Sequence, residues 1–346
     1  MKLKATALWN IQRFAGNLNT NTTGTSTLSA EMKTYYDKEL LDEAEPELVH
    51  DQFGQERNIP KNGGKTIEFR KFSSLPKATT PLTEGVTPDG KTLTVTASTA
   101  TVNQYGDYVA ISDQLELTAI DNTLVETVAL LGSQAGRTLD TVTREILNAG
   151  TNVMYAPKLA ANGTETAVAS RAAITTECKF TPTVVARAAA ILKAANAKKI
   201  DGSYVCIIHP YLAEELMAEA GKAWIDIVKY KDTEKIYNGE IGKLFGVRFV
   251  ESTEAKIWKG TADNAADGVA VFSALFIAAN AYGKTSINGG GLETIIKQLG
   301  SAGTADPLNQ RSTAGWKATK TAKILTQEYM LRVECGSRWN DQVEAN

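Results

Sequence analysis

The sequence predicts an α+β protein, and three features predict it. Asp121 to Gly150 repeats apolar residues at the three- and four-residue spacing of one helix face. Lys65 to Val102 holds two runs of β-branched and aromatic residues separated by a Pro- and Gly-rich loop, the pattern of a long hairpin. Residues 175 to 290 alternate helical and strand-like segments, as an α/β module does.

In chain order, residues 15 to 30 are rich in Asn, Thr, Gly and Ser, bury little, and are expected to form a flexible arm. Ser29 can cap a helix carrying Met32, Tyr35, Tyr36, Leu40 and Leu41, and Pro46 marks its end. Between Glu31 and Glu56 nine acidic residues face only Lys33 and Lys38, a net of −7. From Arg57 to Lys91 seven basic residues face Glu68, Glu84 and Asp89, a net of +4. This basic stretch contains the hairpin, whose apolar content is too thin for a core of its own, so it needs a second surface to lie on.

The long helix has a capping-box pair in Thr123 and Glu126, an apolar stripe of Leu124, Val128, Leu131, Ala135, Leu139, Val142 and Ile146, and a stop at Gly150. Glu126, Gln134, Arg137, Asp140 and Arg144 fall mostly on the other faces, where solvent or another subunit is expected, with Asp140 and Arg144 spaced as an i to i+4 pair. Further on, Thr181-Pro182 opens a helix through Ala197, Tyr204 to Ile208 reads as a buried strand, and His209-Pro210 opens a helix through Glu219. Leu244 to Val250 and Val269 to Ala278 read as further strands, Gly300 to Gly315 as a loop, and Lys323 to Cys335 as one last long strand.

With 346 residues the chain has room for about two domains. A formal charge of −2 lacks the basic excess of a tight nucleic-acid binder, so any DNA contact is expected to be weak and non-specific per subunit. Cys178, Cys206 and Cys335 are scattered, which argues against a disulfide framework or a zinc site and suits a reducing cytoplasm. The opening residues break into Asn10, Gln12 and Arg13, so no secretory signal is expected. No membrane span is expected either: the most apolar stretch, Val269 to Ala279, falls well short of the roughly 20 residues a crossing needs.

Gly85 to Thr92 satisfies the P-loop pattern formally, but the residues after it are strand-like where phosphate binding needs a helix N-terminus. Gly239 to Glu251 reads as a turn feeding a buried strand. His209 stands where a side chain caps the following helix, and neither it nor His50 belongs to a G-x-S-x-G or H-E-x-x-H motif. No catalytic, cofactor-binding or metal residue is therefore predicted. The acidic run reads either as a solvated face or as a contact for the basic hairpin of a neighbouring subunit.

Several segments in order, Leu28 to Asp37, Gly63 to Phe69, Gly85 to Gly90, Leu131 to Ala135 and Ile241 to Glu251, resemble tailed-bacteriophage major capsid proteins, in particular the branch grouped with the coat protein of coliphage N-four. The resemblance covers most of the chain and rests on order and spacing. It implies a Hong Kong 97-type capsid fold: residues 1–55 an N-terminal arm, 56–111 an extended loop, 112–174 and 291–346 a peripheral domain with a spine helix at 123–147, and 175–290 an axial domain. The last strand is expected in the peripheral domain. The implied function is a structural subunit forming hexamers and pentamers of an icosahedral head assembled in the bacterial cytoplasm. Its implied partners are further copies of itself, packaged double-stranded DNA, and portal, scaffold or decoration proteins.

An arm and a hairpin that cannot bury their apolar groups alone must bury them against neighbours. The expected inter-subunit contact sets Lys65, Arg70, Lys71 and Lys77 of the hairpin against Glu39, Asp42, Glu43 and Glu45 of the arm. An encapsulin-type shell shares the expected fold, and an α/β enzyme centred on residues 175–290 or a phage tail component are the readings from other classes.

Overall fold

The computed structural model describes residues 40, 43–44, 48–58, 65–72, 75–87, 89–118, 123–160, 162–221, 225–226, 239–286, 292–301 and 306–346. The expected flexible arm and most of the expected first helix lie outside them. Of that helix, Leu40, Glu43 and Ala44 are described and helical, with Leu40 and Ala44 buried.

The core is an eight-stranded mixed sheet. Its strands run in the order Val153–Tyr155, Met330–Cys335, Ala270–Ile277, Tyr204–Ile208, Val247–Glu251, Glu240–Leu244 and Ile225–Asp226, and Ile257–Lys259 also pairs with Ala270–Ile277. Every residue of Tyr204–Ile208 and Ala270–Ile277 is buried, because both faces of the sheet are covered. Side chains alternate between those faces. Tyr204, Cys206 and Ile208 join the helices Pro182–Ala194 and Pro210–Ala220 in one cluster, while Val205 and Ile207 join Leu147, Val49 and Phe53 in another. The segment Gly239 to Glu251 is the turn and buried strand that was expected: Phe245 and Gly246, both at positive φ, form a two-residue loop between Glu240–Leu244 and Val247–Glu251.

The helix Thr123–Asn148 is about 39 Å long at 1.5 Å per residue and meets two different surfaces. Its first half packs Val128, Leu131, Ala135 and Leu139 against a three-stranded sheet of Leu292–Lys297, Arg311–Lys320 and Asn103–Ser112, through Leu292, Ala314, Trp316 and Ala318. Gly132 lets the turn carrying Leu40 and Glu43 come close, since a Cβ there would lie 2.9 Å from the Cβ of Glu43. In the second half the buried positions become Asp140, Thr143, Arg144, Leu147 and Asn148, while Val142 and Ile146 are only half-buried.

Four expectations are corrected here. Asp140 and Arg144 are buried rather than solvated, and instead of pairing with each other they bond to His50 and to Glu145 with the Glu254 carbonyl. The hairpin ends at Thr101, because Asn103–Ser112 pairs along its whole length with Arg311–Lys320. That strand also overturns the loop expected up to Gly315. Its small residues are packing residues: Ala314 and Ala318 face the helix, and the Tyr108 Cβ would lie 2.7 Å from a Cβ at Gly315. Finally, the last strand is broken by a 3-10 turn at Gln327–Tyr329, and Met330–Cys335 lies in the large sheet between Ala270–Ile277 and Val153–Tyr155, not with the long helix's own sheet.

Both expected helix starts after residue 180 are present. Thr181 accepts a hydrogen bond from the Val184 N–H, and the His209 ring accepts one from the Tyr211 N–H at 3.3 Å. Burial lowers the His209 pKa from 6.5 to about 4, so the ring is neutral when it caps. The unfolded chain takes up that proton at a higher pH than the folded one. Stability from this group is therefore complete above pH 6.5 and is lost as pH falls toward 4. His209→Asn keeps a capping acceptor without the titration, and urea unfolding across that window should show a flatter pH dependence than the wild type. A second expectation concerns Gly283, where an added Cβ would sit 2.3 Å from the Phe69 ring. Gly283→Ala should cost about 1–3 kcal/mol in denaturant unfolding, and less when Phe69→Ala is also present.

Candidate functional site

The hairpin pairs Thr66–Phe72 with Val95–Thr101 in antiparallel register, Thr66 opposite Thr101 and Phe72 opposite Val95. One face of its base is anchored: Ile67, Phe69 and Ala100 are buried with Val102 and Leu325 beside them. Beyond the strands the described residues of the connection in 75–94 are neither helix nor strand, and each is exposed. Leu82 is 78% exposed, Leu93 67% and Val86 62%. Apolar groups placed there gain nothing from their own chain, whereas each would gain roughly 1.5–3 kcal/mol on full burial against another surface. The residues after the formal P-loop match run straight into the strand at Val95, so no helix N-terminus stands ready for phosphate.

Among the expected contact residues, Lys65, Arg70, Lys71 and Lys77 are all exposed on or beside the hairpin. Arg70 donates to Glu68 of the same strand at 2.7 Å, a pairing that raises the Arg70 pKa. Glu43 is exposed beside the long helix, and Glu39, Asp42 and Glu45 lie outside the described residues. Glu43 and the four basic residues stand on separate elements.

A polar constellation that the sequence did not reveal ties His50 and Asp51 into the core. The His50 N–H donates to Asp140 Oδ1 at 2.7 Å, and its ring Nδ1 lies 2.6 Å from Oδ2. Next to it, Asp51 Oδ1 accepts from Thr143 Oγ1 at 2.7 Å, and Asp51 Oδ2 accepts from Lys320 Nζ. The Tyr282 hydroxyl donates to the His50 carbonyl, and burial, reinforced by the charge of Asp51, holds the Tyr282 phenol well above its usual range. Four segments distant in sequence thus converge through side chains with no local motif, which is why spacing could not find them. Gln55–Arg57 then continues parallel to Tyr282–Thr285.

Elsewhere, a cleft of about 530 Å³ is lined by His209, Tyr211, Glu254, Ile257 and the final residues Gln342 to Asn346. Among the described residues no group of three His, Cys, Asp or Glu side chains is arranged to hold a metal, and no helix is long and apolar enough to cross a membrane.

Residues 95–329 match the model of a family described as phage capsid protein, more than half of the chain. No curated protein matches the sequence. The fold is similar to the capsid of Ralstonia phage GP4, with a TM-score of 0.63 at 13% identity, covering 82% of this chain and 87% of that one. The capsid of cyanophage P-SCSP1u gives a TM-score of 0.57 at 14% identity, covering 82% and 86%. The holo-SrpI encapsulin complex from Synechococcus elongatus gives 0.52 at 9% identity, covering 95% and 96%.

Since Leu82, Val86 and Leu93 are left largely in water, their joint replacement by Ser should change the unfolding free energy of the isolated chain by no more than about 0.5 kcal/mol per site. Equilibrium denaturation checks this, and a larger loss would mean that these side chains belong to the chain's own core.

Proposed function

The chain belongs to the phage capsid protein family and has the Hong Kong 97-type capsid fold, and from that premise we propose how its copies build a shell. The protein is a structural subunit of the virion capsid, and no catalytic task is assigned to it. The observation that carries the reading is the hairpin: anchored at one end only, it holds exposed apolar side chains outward on an extended connection.

In this reading the hairpin of one subunit lies over a neighbour. Its Lys65, Arg70, Lys71 and Lys77 face the acidic stretch of the neighbour's arm around Glu39, Asp42, Glu43 and Glu45, while Leu82, Val86 and Leu93 are buried by the contact. Residues 1–55 act as the arm and the hairpin from residue 56 as the extended loop. The long helix with its three-stranded sheet serves as the peripheral domain and the large sheet as the axial domain. Each contact is modest, but a closed shell holds every subunit through several neighbours at once. Hexamers and pentamers of this kind close into an icosahedral head around double-stranded DNA, assembled in the host cytoplasm. With a net charge of −2 the subunit holds DNA weakly and without sequence preference, and portal, scaffold or decoration proteins complete the particle.

The encapsulin similarity favours one second reading, a protein compartment with the same shell and a protein cargo. Particle contents separate the two, nuclease-protected DNA in one case and co-purifying protein in the other.

Negative-stain electron microscopy of the fast-sedimenting fraction tests assembly. Wild-type protein, with scaffold protein co-expressed where it is needed, should give closed shells or free hexamers and pentamers. Arg70→Glu with Lys71→Glu should reduce shell yield several-fold while leaving the thermal unfolding of the subunit unchanged. An unchanged yield would remove the charge-pairing part of the reading, and a wild-type chain that stays monomeric even with scaffold would remove the whole of it.

A further inference from the structure

We propose that Lys320 and Asp51 become covalently joined, the Lys320 Nζ forming an amide with the Asp51 side-chain carboxyl. Lys320 is the one buried lysine among the described residues, and its side chain is fully enclosed at 0% exposure against 4% for Asp51. Its Nζ is in contact with Asp51 Oδ2, although the two residues are 269 positions apart.

The two carboxylate oxygens are not equivalent. Oδ1 accepts the Thr143 hydroxyl at 2.7 Å, a donor placed to stabilise charge that develops on that oxygen when the carbon is attacked. Oδ2 faces the amine and is the oxygen that leaves. The groups are pinned from three sides. Asp51 lies between Val49 and Phe53, both packed into the core with Leu147 and Tyr282. Thr143 belongs to the long helix and Lys320 ends the strand Arg311–Lys320. Asp140, fully buried one turn before Thr143 and bonded to His50, supplies a second carboxyl group in the same polar cluster.

The step balances without any external reagent. Lys320 Nζ first passes one ammonium hydrogen to Asp51 Oδ2, the freed nitrogen lone pair attacks Asp51 Cγ and forms the C–N bond, and the Cγ–Oδ2 bond breaks as a second hydrogen moves from nitrogen to Oδ2, which departs as water. One hydrogen stays on the amide nitrogen, and nothing is oxidised or reduced. Two physical effects favour it. Holding the groups in contact makes the reaction effectively intramolecular, which is worth many orders of magnitude in effective concentration. A buried ion pair also carries a desolvation cost, and an amide held in the same place has no formal charge to desolvate. The linkage would close residues 51 to 320 into one covalent loop enclosing the hairpin and the long helix, so the segment around Asp51 could not leave its seat.

Intact-mass spectrometry of the purified full chain under denaturing conditions is the test. Wild-type protein should weigh one water less than its sequence, and a digest should contain a branched peptide joining Lys320 to Asp51. Lys320→Arg should show its full sequence mass, and Asp51→Asn should lose ammonia instead of water. If either variant fails to fold, the wild-type mass and the branched peptide still decide. Full sequence mass in the folded wild type, or a lost water located anywhere else, would overturn the proposal and leave the pair as an ordinary buried salt bridge.

Discussion

A single helix has to satisfy two unlike surfaces, and the rest of the subunit is arranged around that constraint. The first half of Thr123–Asn148 offers an aliphatic stripe to a three-stranded sheet. The second half turns Asp140, Thr143, Arg144 and Asn148 inward, toward the large sheet and the segment of His50 and Asp51. An uncharged stripe along the whole length would have fixed how deeply the helix sits but left its sliding and rotation weakly specified. The charged half removes that freedom, because Asp140 must meet His50 and Arg144 must reach the Glu254 carbonyl.

Buried ion pairs are poor sources of net stability, since desolvation offsets most of their attraction, but removing one partner of a pair is costly. The subunit uses them where elements distant in sequence must meet in one arrangement. Glu334, fully buried in the strand Met330–Cys335, holds Arg332 of its own strand and Arg171 from a remote turn, and the Arg171 guanidinium lies 3.7 Å over the Trp258 ring. Arg248 and Glu240, both fully buried, join the two strands of a hairpin at the far side of the same sheet. Each pair tolerates little displacement, so together they fix register in a protein whose apolar core alone would accept several.

Local rules made much of this legible from sequence. The capping pairs Thr181-Pro182 and His209-Pro210 start helices where expected, the continuous apolar run at Tyr204 to Ile208 is a buried strand, and the hairpin pairs where its β-branched runs lie. The failures share one cause. The first half of Arg311–Lys320, up to Gly315, reads as loop because Ser312, Thr313 and Gly315 offer little apolar signal, and Gly315 has to be small because the Cβ of Tyr108, far away in the chain, would lie 2.7 Å from any Cβ there. Asp140 and Arg144 read as solvated because helix periodicity shows which residues share a face, not which partners wait opposite. The acidic side of the expected subunit contact lies largely outside the described residues, so its geometry rests on the sequence alone.

The hairpin's anchorage has a mechanical consequence. Its seven residue pairs extend about 23 Å from the base at 3.3 Å per residue, yet the grip on the body is confined to Ile67, Phe69, Ala100 and their immediate neighbours at one end. That is the geometry of a lever on a short pivot: a rotation of about 10° at the Phe69 seat carries the far end of the paired strands, about 10 Å beyond it, through about 2 Å, with the strand pairing itself untouched. A closed surface assembled from identical units must bend by different amounts at different places, and a compliant lever lets one sequence meet neighbours at more than one angle.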